Sequence, residues 1–130
     1  DKAAQSSLRN ALTNAKGIYT DTDSYTGATV AALGAAEPSL TFVATGTAST
    51  GAKEVSVNPV SSSWIIMAAK SSSGTCFVIG DSATGPGTVF AKLASGATCS
   101  GDQANTTLGT SLTAAPTATN SSTAGVWAQA

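Results

Sequence analysis

Histidine is absent from this chain of 130 residues, and charged side chains make up only 10% of it. An average soluble protein carries about 25% charged residues, and here alanine, serine, threonine and glycine take their place. Such a composition suits a secreted or surface-displayed protein, and a GC-rich genome produces it equally well. Because there is no histidine and there are only two cysteines, a structural zinc site is not expected.

Strong net charge and long apolar runs are also missing. The formal net charge of −1 provides neither a basic field for nucleic acid nor an acidic field for cationic partners. No run approaches the roughly 20 apolar residues of a membrane-spanning helix, and no signal peptide opens the chain. We therefore expect no stable nucleic-acid binding, and we expect an exported protein to be seen here in mature or trimmed form.

The two cysteines, Cys76 and Cys99, lie far apart in the sequence. A CxxC redox pair is absent, which leaves either one disulfide or two unrelated buried thiols. A disulfide closing a loop of this size stabilises a fold by roughly 3 kcal/mol, and the apolar core of this chain is small. We favour the bridge and, with it, a location outside the cytoplasm.

An amphipathic helix is predicted over residues 1–25. Apolar side chains recur at steps of three and four residues and so share one face, namely Ala4, Leu8, Ala11, Leu12, Ala15, Ile18 and Tyr19. Polar side chains occupy the remaining circumference, and no residue caps the first turn. A helix of this length is only marginally stable alone, so we expect its apolar stripe to pack on a sheet. The main packing residues are predicted to be Leu8, Leu12, Ala15, Ile18 and Tyr19.

β-Structure is predicted for most of the chain that follows. A short helix over residues 29–34 comes first, with Thr29 as its N-cap and Gly34 at its end. Short apolar or alternating runs then predict strands at residues 40–44, 54–57, 64–69, 75–79 and 88–93. The second strand is expected to stop at Asn58 and Pro59. The third, as the most apolar run, is expected at the centre of the sheet.

Short strands joined by tight turns are typical of an antiparallel meander. We expect one face of this meander to cover the helix stripe, which gives a single α+β domain over residues 1–130. Residues 81–87 are predicted to form a loop. Residues 100–130 are predicted to be a loop-rich tail, held at Cys99 and again near Trp127.

Signals for catalysis or metal binding are weak. Gly80-Asp81-Ser82 matches the opening block of a family of serine esterases, but those enzymes need a histidine base, so the tripeptide is interpreted as a turn. Asp21 and Asp23 have the chemistry to share a hard cation with a neighbouring hydroxyl, and turn hydrogen bonding is the preferred interpretation. Trp64 is expected in the core. No catalytic residue, metal ligand or cofactor is predicted.

Several short motifs accompany the order of a long helix followed by a small sheet. Residues 3–16 (AAQSSLRNALTNAK) and 18–25 (IYTDTDSY) resemble the second half of the long helix of the type IV pilins. Further stretches fit the same pattern, namely TVAAL at 29–33, EPSLTF at 37–42, SGTCF at 73–77, Cys99 and the terminal Val-Trp-Ala. The similarity is greatest to pilin-like proteins of Gram-positive bacteria, actinobacteria especially.

The resemblance implies a pilin-like α/β-roll, in which the helix packs on an antiparallel sheet and a disulfide ties down the C-terminal region. Pilins also carry an N-terminal signature, in which a cleaved glycine, a methylated residue and a glutamate precede about twenty apolar residues. This sequence lacks that signature. We therefore expect Asp1 to mark a truncation that removed the apolar half of the helix.

A structural subunit of an extracellular filament is the function that the resemblance implies, rather than an enzyme. The implied partners are other copies of the chain, joined through the missing apolar helix, and the pilus assembly machinery. The membrane is contacted only through the missing segment, before assembly, and the finished filament lies at the cell surface. Lys2, Arg9 and Lys16 are candidate subunit contacts. The loops at 44–53, 81–87 and 100–120 are the expected outer surface.

Two alternatives of different kinds stay open. A secretion-system pseudopilin has the same plan but polymerises inside the envelope. A small secreted binding or adhesion module would use the helix as an ordinary docking element. The pseudopilin, like the pilin, requires an apolar segment directly upstream of Asp1, and the secreted module does not. If the chain forms filaments, adhesion, twitching motility and DNA uptake are the implied roles.

Overall fold

The long N-terminal helix, α1, spans Lys2–Thr22 in the computed structural model, which describes residues 2–83, 87–93 and 98–108. Its buried face consists of small and aliphatic side chains at helical spacing, Ala4, Ser7, Leu8, Ala11, Leu12 and Ala15. Ile18 and Tyr19 are partly buried against the same core. The helix ends before residue 25 because Asp23 adopts the left-handed conformation, with φ 58°, as residues after a helix commonly do.

Two short helical segments connect α1 to the sheet. A 3-10 turn spans Tyr25–Gly27, and helix α2 spans Val30–Ala36. Thr29 is the N-cap of α2, and its hydroxyl accepts a backbone N–H at 3.2 Å. The helix passes Gly34 without ending there, because this glycine does not take the positive φ of a helix stop.

Five strands form one sheet in the order β1-β2-β3-β4-β5. Their bounds are Thr41–Val43 for β1, Glu54–Ser61 for β2, Trp64–Lys70 for β3, Cys76–Ser82 for β4 and Gly87–Lys92 for β5. Strands β2 to β5 pair as an antiparallel meander with the apolar β3 at the centre. Strand β1 instead pairs parallel to β2. Parallel neighbours need a crossover connection, which residues 44–53 provide, so the expectation of a wholly antiparallel sheet is wrong at this edge.

Strand β2 runs further than its sequence predicts. It continues through Asn58 and Pro59 to Ser61, with a shift in register against β3 between Asn58 and Ser61. A proline has no N–H to donate to a regular ladder, and an irregularity of this kind accommodates it. The expected stop at residues 58 and 59 is therefore wrong.

Strand β4 also extends beyond its predicted end. Asp81 pairs with Ile65 on one side and with Thr88 on the other, so the tripeptide at 80–82 belongs to the strand and not to a turn or loop. Gly80 lies under the indole of Trp64, where an added Cβ would be 2.3 Å from the ring. The backbone of β4 approaches Trp64 closely because this position has no side chain.

The two faces of the sheet carry separate apolar clusters. The face toward α1 contributes alternate residues of the strands, including Val55, Val57, Ile65, Met67, Ala69, Phe77, Ile79 and Phe90. The opposite face forms a smaller cluster of Ile66, Ala68, Cys76, Val78, Ala91, Leu93, Cys99 and Ala104. Trp64 is half-buried and packs against this smaller cluster rather than in the main core.

A disulfide joins Cys76 to Cys99, with the Cα atoms 5.4 Å apart, which confirms the predicted bridge. Helix α3 follows it and spans Gly101–Leu108. The prediction of a loop from residue 100 onward is wrong for this segment, and residues 109–130 lie outside the described residues. In the parts of the chain that the structure describes, no helix combines the length and apolarity needed to cross a membrane.

Candidate functional site

The outward surface of α1 is polar along its whole length. The exposed polar residues of this surface are Lys2, Ser6, Arg9, Asn10, Thr13, Lys16, Thr20 and Asp21. Three of them, Lys2, Arg9 and Lys16, are spaced by seven residues. Because seven residues make almost two helical turns, these three side chains form one line along the helix, which we call the cation row.

The cation row lies beside strand β5. The guanidinium carbon of Arg9 is 5.7 Å from the centroid of the Phe90 ring. Two turns further on, Lys16 Nζ donates to the hydroxyl of Thr88 at 3.0 Å. Phe90 and Thr88 both belong to β5, the last strand in the sheet order. Two of the three cations are thus held in place by contacts within their own domain.

A buried carboxylate accounts for the position of Lys16. Asp81 on β4 is only 8% exposed. Its Oδ1 accepts from the Thr88 hydroxyl at 2.8 Å and lies 3.7 Å from Lys16 Nζ. The Lys16 side chain is 50% exposed, so this ion pair lies at the boundary between core and solvent, where screening limits its strength.

Tyr25 binds the other oxygen of the same carboxylate. Its hydroxyl donates to Asp81 Oδ2, and its backbone N–H donates to the Ser62 carbonyl at 2.9 Å. The Tyr25 ring contacts Tyr19, with the centroids 4.8 Å apart. Burial, and then the hydrogen bond and negative charge of Asp81, raise the pKa of Tyr25 well above its usual 10.0. The hydroxyl therefore remains protonated and able to donate.

Lys16, Tyr25, Asp81 and Thr88 form a polar network that joins α1 and the 3-10 turn to strands β4 and β5. Its groups bind one another, and no histidine or free thiol is available to activate a hydroxyl. In the tripeptide Gly80-Asp81-Ser82, which matches the esterase block, Asp81 thus acts as a structural carboxylate. The network fixes the orientation of α1 on the sheet and, with it, the orientation of the cation row.

Two exposed carboxylates, Asp21 and Asp23, lie at the C-terminal end of α1. The side-chain hydrogen bonds of this turn come from hydroxyls. Thr22 Oγ1 donates to a carbonyl of the preceding turn at 2.8 Å, and Ser24 Oγ accepts a backbone N–H at 3.1 Å. The Asp23 N–H also donates to the Tyr19 carbonyl at 2.6 Å, so turn hydrogen bonding involves the backbone of Asp23 as well as the hydroxyls of Thr22 and Ser24. Within the described residues, no three potential metal ligands of the His, Cys, Asp or Glu type come together.

The crossover between β1 and β2 is bound to the segment that follows the disulfide. Ser49 is buried, with 2% exposure, and its N–H donates to the Cys99 carbonyl at 2.7 Å. The Asp102 N–H donates to the Thr45 carbonyl at 2.9 Å. Part of the crossover, which was expected on the outer surface, is therefore an internal contact.

Gly101, at the start of α3, allows this segment to lie directly on β2. Its N–H donates to Ser56 Oγ at 2.9 Å. A Cβ at this position would lie 2.9 Å from the Cβ of Asn58 and 3.0 Å from its backbone nitrogen. A larger residue would push α3 away from the sheet.

The structure locates Lys2, Arg9 and Lys16 on the exposed side of α1, where the sequence placed them; their role as subunit contacts stays a prediction. Sequence reasoning missed the contact between Tyr25 and Asp81, because 56 residues separate the two side chains. One signal was available. Asp81 continues the alternation of Phe77 and Ile79, and an acid at a core-facing position requires a polar partner.

Comparisons of this chain with protein-family models, with curated proteins and with solved structures find no match.

Proposed function

We propose that this chain is the globular domain of a pilin-like subunit, which assembles with copies of itself into an extracellular filament. The observation that carries the proposal is the division of α1 into two faces. One face is buried on the sheet, while the other stays polar and exposed over the 21 residues of the helix. At 1.5 Å per residue, the exposed face is about 30 Å long, which is enough for contacts with neighbouring subunits.

The mechanism in this proposal is assembly rather than catalysis. An apolar segment of about 20 residues upstream of Asp1 continues α1, holds the subunit in the membrane before assembly and then bundles with its copies in the filament. The packing of Leu8 and Leu12, together with the polar network at Lys16, fixes α1 on the sheet. Each globular domain therefore keeps a constant orientation relative to the central bundle.

The disulfide supports an extracellular location. A bridge such as Cys76–Cys99 persists in oxidising compartments and is rare in the cytosol. It holds α3 beside the sheet, where Ser49 and Ser56 bind the same segment. Stability from a covalent bridge suits a domain that must remain folded at the cell surface. Adhesion, twitching motility and DNA uptake are the roles we propose for such a filament.

The same structural features are also compatible, in part, with two other functions. A secretion pseudopilin would use the same helix and sheet but stay within the cell envelope. A secreted binding module would use the domain alone, without an apolar helix. The length and exposure of the polar face of α1 favour a protein with repeated lateral contacts, and we therefore place the filament subunit first.

The test is to locate the protein in the organism that produces it. Antibodies raised against this chain are applied with gold particles to cells and to filaments sheared from them, in the wild type and in a gene deletion. We expect gold along surface filaments that vanish in the deletion and return with the intact gene. Gold confined to the envelope would indicate the pseudopilin, and monomeric protein in the medium with unchanged filaments would indicate the secreted module. Either result contradicts the proposal.

A further inference from the structure

Ser49, a buried residue of the crossover between β1 and β2, is bonded next to both cysteines of the disulfide. Its N–H donates to the Cys99 carbonyl at 2.7 Å. Its Oγ accepts the N–H of Lys70 at 3.0 Å, and Lys70 pairs with Cys76 between β3 and β4. The same hydroxyl donates to the Glu54 carbonyl at 2.6 Å, where β2 begins. The crossover is therefore attached to the sheet at the disulfide.

Ser56, a second buried serine on β2, links the crossover to the segment that follows the disulfide. Its Oγ accepts the Gly101 N–H at 2.9 Å and donates to the Ala44 carbonyl at 3.1 Å. The Asp102 N–H donates to the Thr45 carbonyl at 2.9 Å. We call these contacts, together with the bond from Ser49 to Cys99, the clasp. The clasp thus joins both halves of the crossover to residues 99–102.

Strand β1 is the part of the sheet that depends most on its crossover. It has three residues, lies at the edge and pairs parallel to β2, an arrangement slightly less stable per residue than antiparallel pairing. The Thr41 N–H donates to the Lys53 carbonyl at 2.9 Å, so the strand and the end of the crossover are bonded to each other. Phe42 packs in the main core. When the clasp is open, a short parallel pairing and this one aromatic side chain hold β1.

Helix α1 and the antiparallel meander are stabilised from the other face of the sheet. Leu8 and Leu12 belong to the main cluster, which lies between α1 and the strands. Cys76 and Cys99 belong to the smaller cluster on the opposite face. Loss of the bridge therefore acts first on the face that carries α3 and the clasp, and not on the packing of α1.

We propose that the Cys76–Cys99 bridge is a redox-sensitive switch for β1 and its crossover. In the reduced chain the clasp opens, and β1 with residues 44–53 separates from the sheet more often, while α1 and strands β2 to β5 stay folded. Oxidation closes the clasp again. This inference goes beyond the proposed function, because it assigns to the bridge the control of one edge of the sheet, and it does not depend on filament formation.

Closure of the bridge needs an oxidant. Formation of the bond between the two sulfur atoms removes two protons and two electrons from the thiols of Cys76 and Cys99. A disulfide-containing oxidant accepts them by thiol–disulfide exchange and leaves as two thiols. Such oxidants act outside the reducing cytoplasm, so an exported copy completes this edge of its sheet after it has left that compartment.

The size of the effect follows from the loop that the bridge closes while β4 and β5 remain paired. The Leu93 N–H donates to the Cys76 carbonyl at 3.0 Å, which keeps the end of β5 beside the first cysteine. Cys99 follows Leu93 by only six positions. The loop-closure entropy for this length favours the closed clasp by roughly 40-fold. We therefore expect reduction to open the clasp about 10 to 100 times more often.

Amide hydrogen exchange of the full chain, followed by NMR at a series of urea concentrations below the unfolding transition, tests this inference. The oxidised protein is compared with protein reduced by a water-soluble phosphine, which takes up the oxygen of one water as the bridge becomes two thiols. The amides that report on the clasp and on β1 are those of Thr41, Ser49, Gly101 and Asp102. Met67, in the central strand β3, is the reference. The double variant Cys76→Ala, Cys99→Ala, treated with the same phosphine, is the matched control for the reagent.

Reduction should accelerate exchange at the four reporting amides by about 10- to 100-fold in the absence of urea. In the reduced protein these amides should share one urea dependence that is weaker than that of Met67, because their opening exposes less surface than global unfolding does. The double variant should exchange like the reduced protein and should not respond to the phosphine.

Three results would overturn the inference. Unchanged exchange at Ser49 and Thr41, with Gly101 and Asp102 alone accelerated, would mean that the crossover stays in place without the bridge. A urea dependence equal to that of Met67 would mean that reduction acts only through global unfolding. Loss of the helical circular dichroism signal in the reduced protein would mean that α1 itself requires the bridge.

Discussion

The hydroxyl of Tyr25 donates to the buried carboxylate of Asp81 across the boundary between the N-terminal helical region and the sheet. The Thr88 hydroxyl donates to the other carboxylate oxygen, and Lys16 Nζ lies 3.7 Å from that oxygen. This contact joins the 3-10 turn that follows α1 to strand β4, and it thereby helps to fix how α1 lies on the sheet. The cation row projects from the same helix, so the geometry of the proposed assembly surface depends on this pair.

Tyr25→Phe should destabilise the domain by about 1.5–3 kcal/mol, because it removes a hydrogen bond to a buried charged group. Urea unfolding at pH 7 measures this loss. Tyr19→Phe is the matched control, since Tyr19 is only partly buried and lies in the same aromatic contact. Equal stability of Tyr25→Phe and Tyr19→Phe would contradict the assigned role of the Tyr25 hydroxyl.

The raised pKa of Tyr25 predicts a loss of stability in alkaline solution. The folded state holds the phenolic proton above pH 10, whereas the unfolded chain releases it near pH 10. The stabilisation is therefore complete below about pH 10 and declines as the pH rises toward the folded-state pKa. Urea midpoints between pH 9 and about pH 11 should fall more steeply in the wild type than in Tyr25→Phe. Parallel curves would show that Tyr25 titrates normally.

Leu12 is buried and Arg9, three residues earlier in α1, is exposed, so the two should respond differently to substitution. Leu12 is 4% exposed, so Leu12→Asp places an unpaired charge in the core and should cost about 4 kcal/mol or more, enough to unfold the domain. Arg9→Ala should cost only about 0.5–1 kcal/mol through its lost contact with Phe90. Circular dichroism and thermal melting compare the two, and unfolding by Arg9→Ala would contradict the assignment of the polar face.

Removal of the disulfide should lower stability by about 3 kcal/mol, because the bridge spans a separation of 23 residues and restricts the unfolded chain. The double variant Cys76→Ala, Cys99→Ala is compared with the wild type in the presence and absence of a reductant. Reduction should lower the urea midpoint of the wild type and leave that of the variant unchanged. A wild type insensitive to reduction would contradict a structural role for the bridge.

Gly101→Ala should cost about 1–3 kcal/mol, since the added methyl meets the backbone of Asn58, which cannot rotate away. Gly51→Ala is the control, because no heavy atom lies within 4 Å of its added Cβ. Guanidinium unfolding of both variants measures the difference. Similar guanidinium midpoints for the two variants would mean that α3 can move away from β2 without loss of stability.

Local patterns in the sequence predicted the elements whose apolar residues repeat regularly. The stripe that includes Leu8 and Leu12 predicted α1, and the apolar run at residues 64–69 predicted the central strand. The cysteine pair predicted the bridge. The parallel direction of β1 was not predictable in this way, because alternation of side chains marks a strand without giving the direction of its neighbour.

Helix α3 was missed although a local signal was present. Ser100 and Gln103 have the S-x-x-Q spacing of a capping box, and the Gln103 N–H donates to Ser100 Oγ at 3.1 Å. The composition of residues 101–108 hid the helix, because glycine, aspartate, asparagine and threonine, which make up five of these eight residues, have low helix propensity. Contacts at Gly101 and the buried Ala104 stabilise it in the folded protein.

The sequence of the natural precursor immediately upstream of Asp1 tests the central proposal most directly. The gene is read from its own start codon. We predict a short basic leader, a glycine, a glutamate shortly after it and about 20 apolar residues running without a break into α1. A conventional signal peptide with a small-residue cleavage site just before Asp1 would leave no apolar segment to form a filament core. That result would contradict the filament subunit and favour the secreted binding module.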